Sequence, residues 1–238
     1  YYDYDSNDGG GDGDGDDGDG DLKLGAIGTV TYVDGKQMVA FGHPFLKHGS
    51  ANYFMHNANI FTVVKSYESA FKLGSMGREI GTVTEDRGAG IAGVSGTISS
   101  GIPVRFHLKD IDMGRDKQSN VKVIEDKDMT PTLAATALYN MLNKTLDRSG
   151  AGTAKITYTI TPRNGEQKSL TRTNMFYSSE SISEKTVDEF YNVIDVLMNN
   201  RFINYEIADI NVETEVTQDK KTAKLVDAAA SSTVVSPG

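Results

Sequence analysis

The chain has 238 residues, a net charge of −9 and 38% hydrophobic residues, with neither cysteine nor tryptophan. The missing cysteines exclude disulfides, thiol nucleophiles and thiolate metal centres. The acidic balance argues against a nucleic-acid partner, because phosphate recognition needs clustered Lys and Arg, and no apolar run approaches the roughly 20 residues that cross a bilayer.

Residues 1–22 form an Asp/Gly tract carrying Asp3, Asp5, Asp8, Asp12, Asp14, Asp16, Asp17, Asp19 and Asp21. Like charges extend such a segment and it has almost nothing to bury, so it is expected to be a disordered, solvated tail or linker. Asp12, Asp14 and Asp16 have the spacing of a calcium loop. However, Asp17 stands where the loop needs glycine and Lys23 where it needs a bidentate glutamate, so no formed calcium site is expected.

Residues 23–127 read as a β-rich unit, a barrel or sandwich. Short apolar runs recur at 29–33, 39–41, 60–64, 80–83, 102–106 and 121–124, separated by glycine clusters such as 74–77 and 88–96. The texture changes in the unit 128–230. Thr130-Pro131 predicts the start of a helix over 131–147, with apolar positions Leu133, Ala137, Leu138, Met141, Leu142 and Leu146 and a stop at Gly150. Strands are expected near 153–161 and 168–176, turned through Asn164-Gly165. Ser181 and Glu184 form a capping box that opens a helix over 184–199. Two strand candidates follow, 205–217 and 222–228, giving two helices on one face of an antiparallel sheet. Residues 231–238 read as the start of a further segment. The first residues carry neither the basic start nor the apolar stretch of a leader, which fits either a cytosolic protein or a mature exported form.

His43, in Phe41-Gly-His-Pro-Phe45, is the leading catalytic candidate. A peptidase base must be a fixed imidazole, and Pro44 restricts the backbone before it. The alternative is a structural turn with a hydrogen-bonded histidine. Asp86, in Glu85-Asp-Arg87, is the candidate to orient that base; a surface ion pair with its arginine neighbour is the competing reading. Ser95 partly mimics a nucleophile elbow but lacks its second glycine, and Ser50 and Ser75 read as loop serines. His43, His48 and His56 have no helix to align them and there is no His-Glu-x-x-His run, so no metal site is expected. The glycines of 88–96 lack the Lys-Ser/Thr end of a phosphate loop, and no cofactor is expected.

The segment 26–34 with Ala40-Phe-Gly-His-Pro-Phe45 resembles serine peptidases of the stage IV sporulation protein B (SpoIVB) type. It resembles more closely a branch of multidomain bacterial envelope proteins that carry this domain. The likeness continues through Asn52-Tyr-Phe-Met55, Phe71-Lys-Leu-Gly74, Gly81-Thr-Val-Thr-Glu-Asp-Arg87 and Gly90-Ile-Ala-Gly93 to Pro103-Val104. The resemblance implies a trypsin-like β-barrel, a base at His43, and an extracellular or cell-envelope location. It also implies a nucleophile in a Gly-Met-Ser-Gly-Ser-Pro motif, which in that branch lies upstream of the region matching Ala26. The chain has no such run; the Asp/Gly tract takes its place. Two functions follow: a serine-peptidase-like domain that is inactive as this chain, or a non-catalytic structural or assembly module. The expected partners are polypeptides: other chains, further copies of this one, or the remainder of a precursor.

Overall fold

The structure, a computed structural model, describes residues 22–67, 70–227 and 229. The expectations for the Asp/Gly tract, its calcium spacing and the segment 231–238 lie outside these, apart from Leu22.

Among the described residues ten strands form two five-stranded sheets, accompanied by two helices. The first contains β1 (Val30–Asp34), β2 (Gln37–Ala40), β3 (Gly49–Val64), β4 (Phe71–Arg87) and β5 (Gly90–Ser95). They are antiparallel in the order β1-β2-β5-β4-β3. A barrel would require β1 to pair with β3. Instead these two strands stand at opposite edges, so the sheet stays open and the trypsin-like closure expected from the resemblance is absent among the described residues. The predicted short runs at 60–64 and 80–83 turn out to be parts of one long hairpin. Its register slips at several points between Ser50 and Thr62. Such bulges break the strict alternation by which strands are recognised in sequence.

The second sheet holds β6 (Gly101–Asp110), β7 (Arg115–Ile124), β8 (Gly152–Pro162), β9 (Leu170–Ser178) and β10 (Ile207–Thr217), in the order β7-β6-β10-β8-β9. This corrects the expected boundary at 127, because β6 and β7 pair here and not with the first sheet. The reason lies in side-chain alternation. Ile102, Val104, Phe106 and Leu108 are all buried on one face, and only this sheet has helices to cover such a face. The expected antiparallel arrangement is also corrected. β10 returns between β6 and β8, running parallel to β6 from Ile210 opposite Val104 to Val216 opposite Asp110. The expected strand over 222–228 is not formed in its described part: both neighbours of β10 are already occupied, and Asp112 takes the Gln218 N–H at 2.6 Å and the Thr217 hydroxyl at 2.8 Å, holding the chain at the strand's end.

Helices α1 (Thr130–Leu146) and α2 (Ile182–Asn199) cover one face. The cap of α1 differs from expectation. Met129 is the capping position, and Asp126 Oδ1 accepts the Asp128 and Met129 N–H groups at 3.0 Å each. The helix ends through Asp147 in the left-handed region (φ 51°), ahead of Gly150. α2 begins as predicted, the Ser181 hydroxyl accepting the Glu184 N–H at 3.3 Å. Its buried stripe, Ile182, Thr186, Phe190 and Ile194, recurs every fourth residue. Ile182, Phe190 and Ile194 join Leu138, Leu142, Ile156, Tyr158 and Val212 in the main core. The first sheet has only a small cluster, Tyr53, Met55 and Val83, against which Ile124 of β7 packs.

Candidate functional site around the loop 41–48

The loop between β2 and β3 carries His43 and His48, and its shape is imposed by Asp86 of β4. Phe41 (φ 74°) and Lys47 (φ 64°) both adopt the left-handed conformation, which costs a residue with a side chain of order 1–3 kcal/mol. Asp86 is fully buried and accepts three consecutive backbone N–H groups: Phe45 at 2.8 Å, Leu46 at 2.6 Å and Lys47 at 2.8 Å. Burial pushes its carboxyl pKa up, but the N–H groups of Leu46, Phe45, Lys47 and His48 outweigh burial and hold it below the ordinary value. Asp86 therefore fixes the loop backbone. No described hydrogen bond joins it to His43, and its ion-pairing neighbour Arg87 binds Glu85 instead, at 2.7 Å.

His43 is exposed, as expected for a residue on a loop at a strand end. Its Nδ1 lies 2.8 Å from the Pro44 carbonyl oxygen, and because a carbonyl only accepts, Nδ1 is the donor in this bond. The ring packs obliquely on Phe41, with centroids 5.6 Å apart. No serine among the described hydrogen bonds approaches it. The Ser95 hydroxyl donates to the Lys36 carbonyl at 3.2 Å, and its N–H to the same oxygen at 2.8 Å, which ties the end of β5 to the turn between β1 and β2. Ser50 and Ser75 are ladder residues of β3 and β4, opposite Glu85 and Asn59.

His48 makes the richer constellation. Its Nδ1 lies 2.8 Å from Asp126 Oδ2 and its Nε2 3.9 Å from Asp128 Oδ2. The Tyr53 hydroxyl is 3.4 Å from the same Nδ1. The hydrogen bond to Asp126 raises the His48 pKa against a smaller opposing effect of burial. Burial, helped by the Asp126 charge, pushes the Tyr53 phenol up to about 12. The remaining histidines serve elsewhere: His56 Nδ1 bonds the Gly77 carbonyl at 2.9 Å, and His107 Nε2 bonds Asp116 at 2.6 Å. The sequence grouping of His43, His48 and His56 is thus not a spatial grouping. The one that forms joins residues 78 positions apart in the chain, for which sequence periodicity has no signal. The acid-rich run Glu125-Asp-Lys-Asp128 before Thr130-Pro131 was the available hint.

The cluster sits where the two sheets meet. Close to it Lys122 of β7 donates to the Ser99 carbonyl at 2.9 Å and lies 4.8 Å from the centroid of the Phe54 ring. Asn52 donates to the Ser100 hydroxyl at 2.7 Å and Ser99 to the Tyr53 carbonyl at 3.0 Å, so the connection between the sheets is pinned to β3. Comparison of the chain with family models, curated proteins and solved structures finds no match.

Proposed function

We propose that the chain is a SpoIVB-peptidase-like unit joined to an α+β unit in an exported or envelope bacterial protein, and that it binds other polypeptide chains without hydrolysing them. The observation that carries the binding of polypeptide chains is the open first sheet. Both its edge strands present apolar side chains to solvent, including Tyr32 and Val33 on β1 and Ile60, Phe61 and Val63 on β3. An uncovered edge of this kind accepts an extended strand through main-chain hydrogen bonds, with side-chain pockets supplying selectivity. The second sheet is different. Its helix-free face is polar, tied by Arg105–Asp209, Thr157–Thr173 and Thr159–Thr171 contacts, and is suited to water.

Absence of hydrolysis follows from chemistry. A hydroxyl needs an adjacent base to attack at neutral pH, and donors for the developing oxyanion contribute a further large factor. The chain lacks the motif that would bring both, and among the described residues His43 meets no serine hydroxyl. A second reading, in which another segment supplies the serine, is favoured by the exposure of His43 and by the lack of any described hydrogen bond at its Nε2. A fluorophosphonate probe separates the two. The chain alone is expected to remain unlabelled; stoichiometric labelling of a serine, lost in His43→Ala, would defeat the non-hydrolytic reading. Labelling only after the upstream segment of a precursor is added would select the second.

A further inference from the structure

Above the titration of the imidazole, His48, Asp126 and Asp128 bring two negative charges and a neutral nitrogen donor together. One donor atom from each lies within 4.8 Å of the other two. Among the described residues neither carboxylate pairs with Lys or Arg; His48 is their shared ionic partner. The His107–Asp116 pair is built differently: Lys109 Nζ stands 3.8 Å from the Asp116 carboxylate and supplies a cation, and no third donor joins them.

We propose that His48, Asp126 and Asp128 form a site for one divalent first-row transition ion, with zinc the best fit, which ties the first sheet to the start of α1. Tetrahedral zinc with bonds near 2.0–2.1 Å separates its donors by about 3.3 Å. The two carboxylates approach different ring nitrogens, Asp126 Oδ2 at 2.8 Å from Nδ1 and Asp128 Oδ2 at 3.9 Å from Nε2. Binding through Nδ1 releases its proton, opens the Asp126 contact to that spacing and swings the Asp128 side chain, 57% exposed, round to the same nitrogen. An imidazole with two carboxylates selects against calcium and magnesium, which prefer oxygen-only shells. The surrounding groups hold the first ligands in place. Asp126 Oδ1 is engaged by the N–H groups of Asp128 and Met129, leaving Oδ2 to face His48. Asp86 fixes the backbone immediately before His48, and outer contacts of this kind tune metal affinity in known sites. Three protein ligands leave a position open to water.

Calorimetric titration with zinc chloride tests the site, at mildly alkaline pH so that protons do not compete, and in excess magnesium so that acidic stretches are saturated. The expected result is one zinc per chain that survives the magnesium. Binding is lost in His48→Ala and weakened at least about tenfold in Asp128→Asn, while His43→Ala and His107→Ala keep wild-type affinity. Zinc should also raise the melting temperature of the wild type and fail to do so in Asp128→Asn. If His48→Ala does not fold, Asp128→Asn, altered at an exposed side chain, carries the test. Absence of magnesium-resistant binding, equal affinity in Asp128→Asn, or dependence on His43 instead would overturn the proposal.

Discussion

Asp86 decides the shape of the loop on which both histidines of interest are carried. A carboxylate at zero exposure is stable only when its lone pairs are met, and three backbone N–H groups meet them. Replacing it by alanine leaves those part-buried donors without their acceptor and removes the support for Lys47 in its left-handed conformation. The expected loss is about 2–4 kcal/mol of unfolding free energy, read from denaturant melts. A loss inside measurement error would show that the loop stands without it. Asp86→Asn should fare little better, because its amide end presents hydrogens to N–H groups. The sequence offers Asp86 as an acid that could orient a histidine, but backbone donors carry no residue signature, so its real task is invisible until the loop folds over it.

At the level of elements, α2 is fastened to the β8–β9 hairpin by Glu189. Its carboxylate receives the Tyr158 hydroxyl at 3.2 Å, the Asn174 amide at 2.5 Å and the Arg172 guanidinium. Burial raises its pKa, while Arg172, Asn174 and Tyr158 together bring it below the usual glutamate value of 4.5. A carboxyl lowered in the folded state contributes stability that is fully present above its unfolded value and lost as pH falls through the folded value. Melting temperature should therefore fall as pH drops below 4.5, and fall less steeply in Glu189→Gln. Parallel curves for the two proteins would exclude Glu189 as a contributor. The helix itself was readable: the Ser181 cap and the apolar spacing place it within two residues of its observed start. Its inward stripe departs from a purely apolar period: Tyr191 is exposed, and Thr186 is buried, its hydroxyl donating to the Ile182 carbonyl at 2.7 Å. That bond lets a polar residue occupy a core position.

For the whole molecule, the two sheets divide the energetics unequally. The second has a continuous core beneath its helices, whereas the first relies on the small cluster of Tyr53, Met55 and Val83 and its contacts at the junction. The outer half of the β3–β4 hairpin exposes Ile60, Phe61 and Val63, with Phe61 at 67%. A two-stranded ribbon in water is marginally stable by itself, so covering this one should be favourable. Under the proposed function, the wild-type chain should show concentration-dependent association in sedimentation. The Ile60→Lys/Phe61→Lys variant should remain monomeric with an unchanged melting temperature. A wild-type chain that stays monomeric, or a variant that associates equally, would remove self-association from the set of partners.

The sequence by itself determined what rests on local chemistry. Helix positions follow from caps and a period of about 3.6 residues, the hairpin β8–β9 from two apolar runs around Asn164-Gly165, and the lack of a nucleophile motif from simple inspection. Tertiary structure decided what rests on contacts between distant segments. β6 alternates in the same way whichever sheet it joins, and only its pairing with β10, more than 100 residues later, assigns it. Likewise His48 meets Asp126 and Asp128 because the junction of the two sheets brings a loop against the start of a helix. Residue spacing cannot encode that meeting, since a strand's pattern specifies which face is buried and leaves its neighbour open.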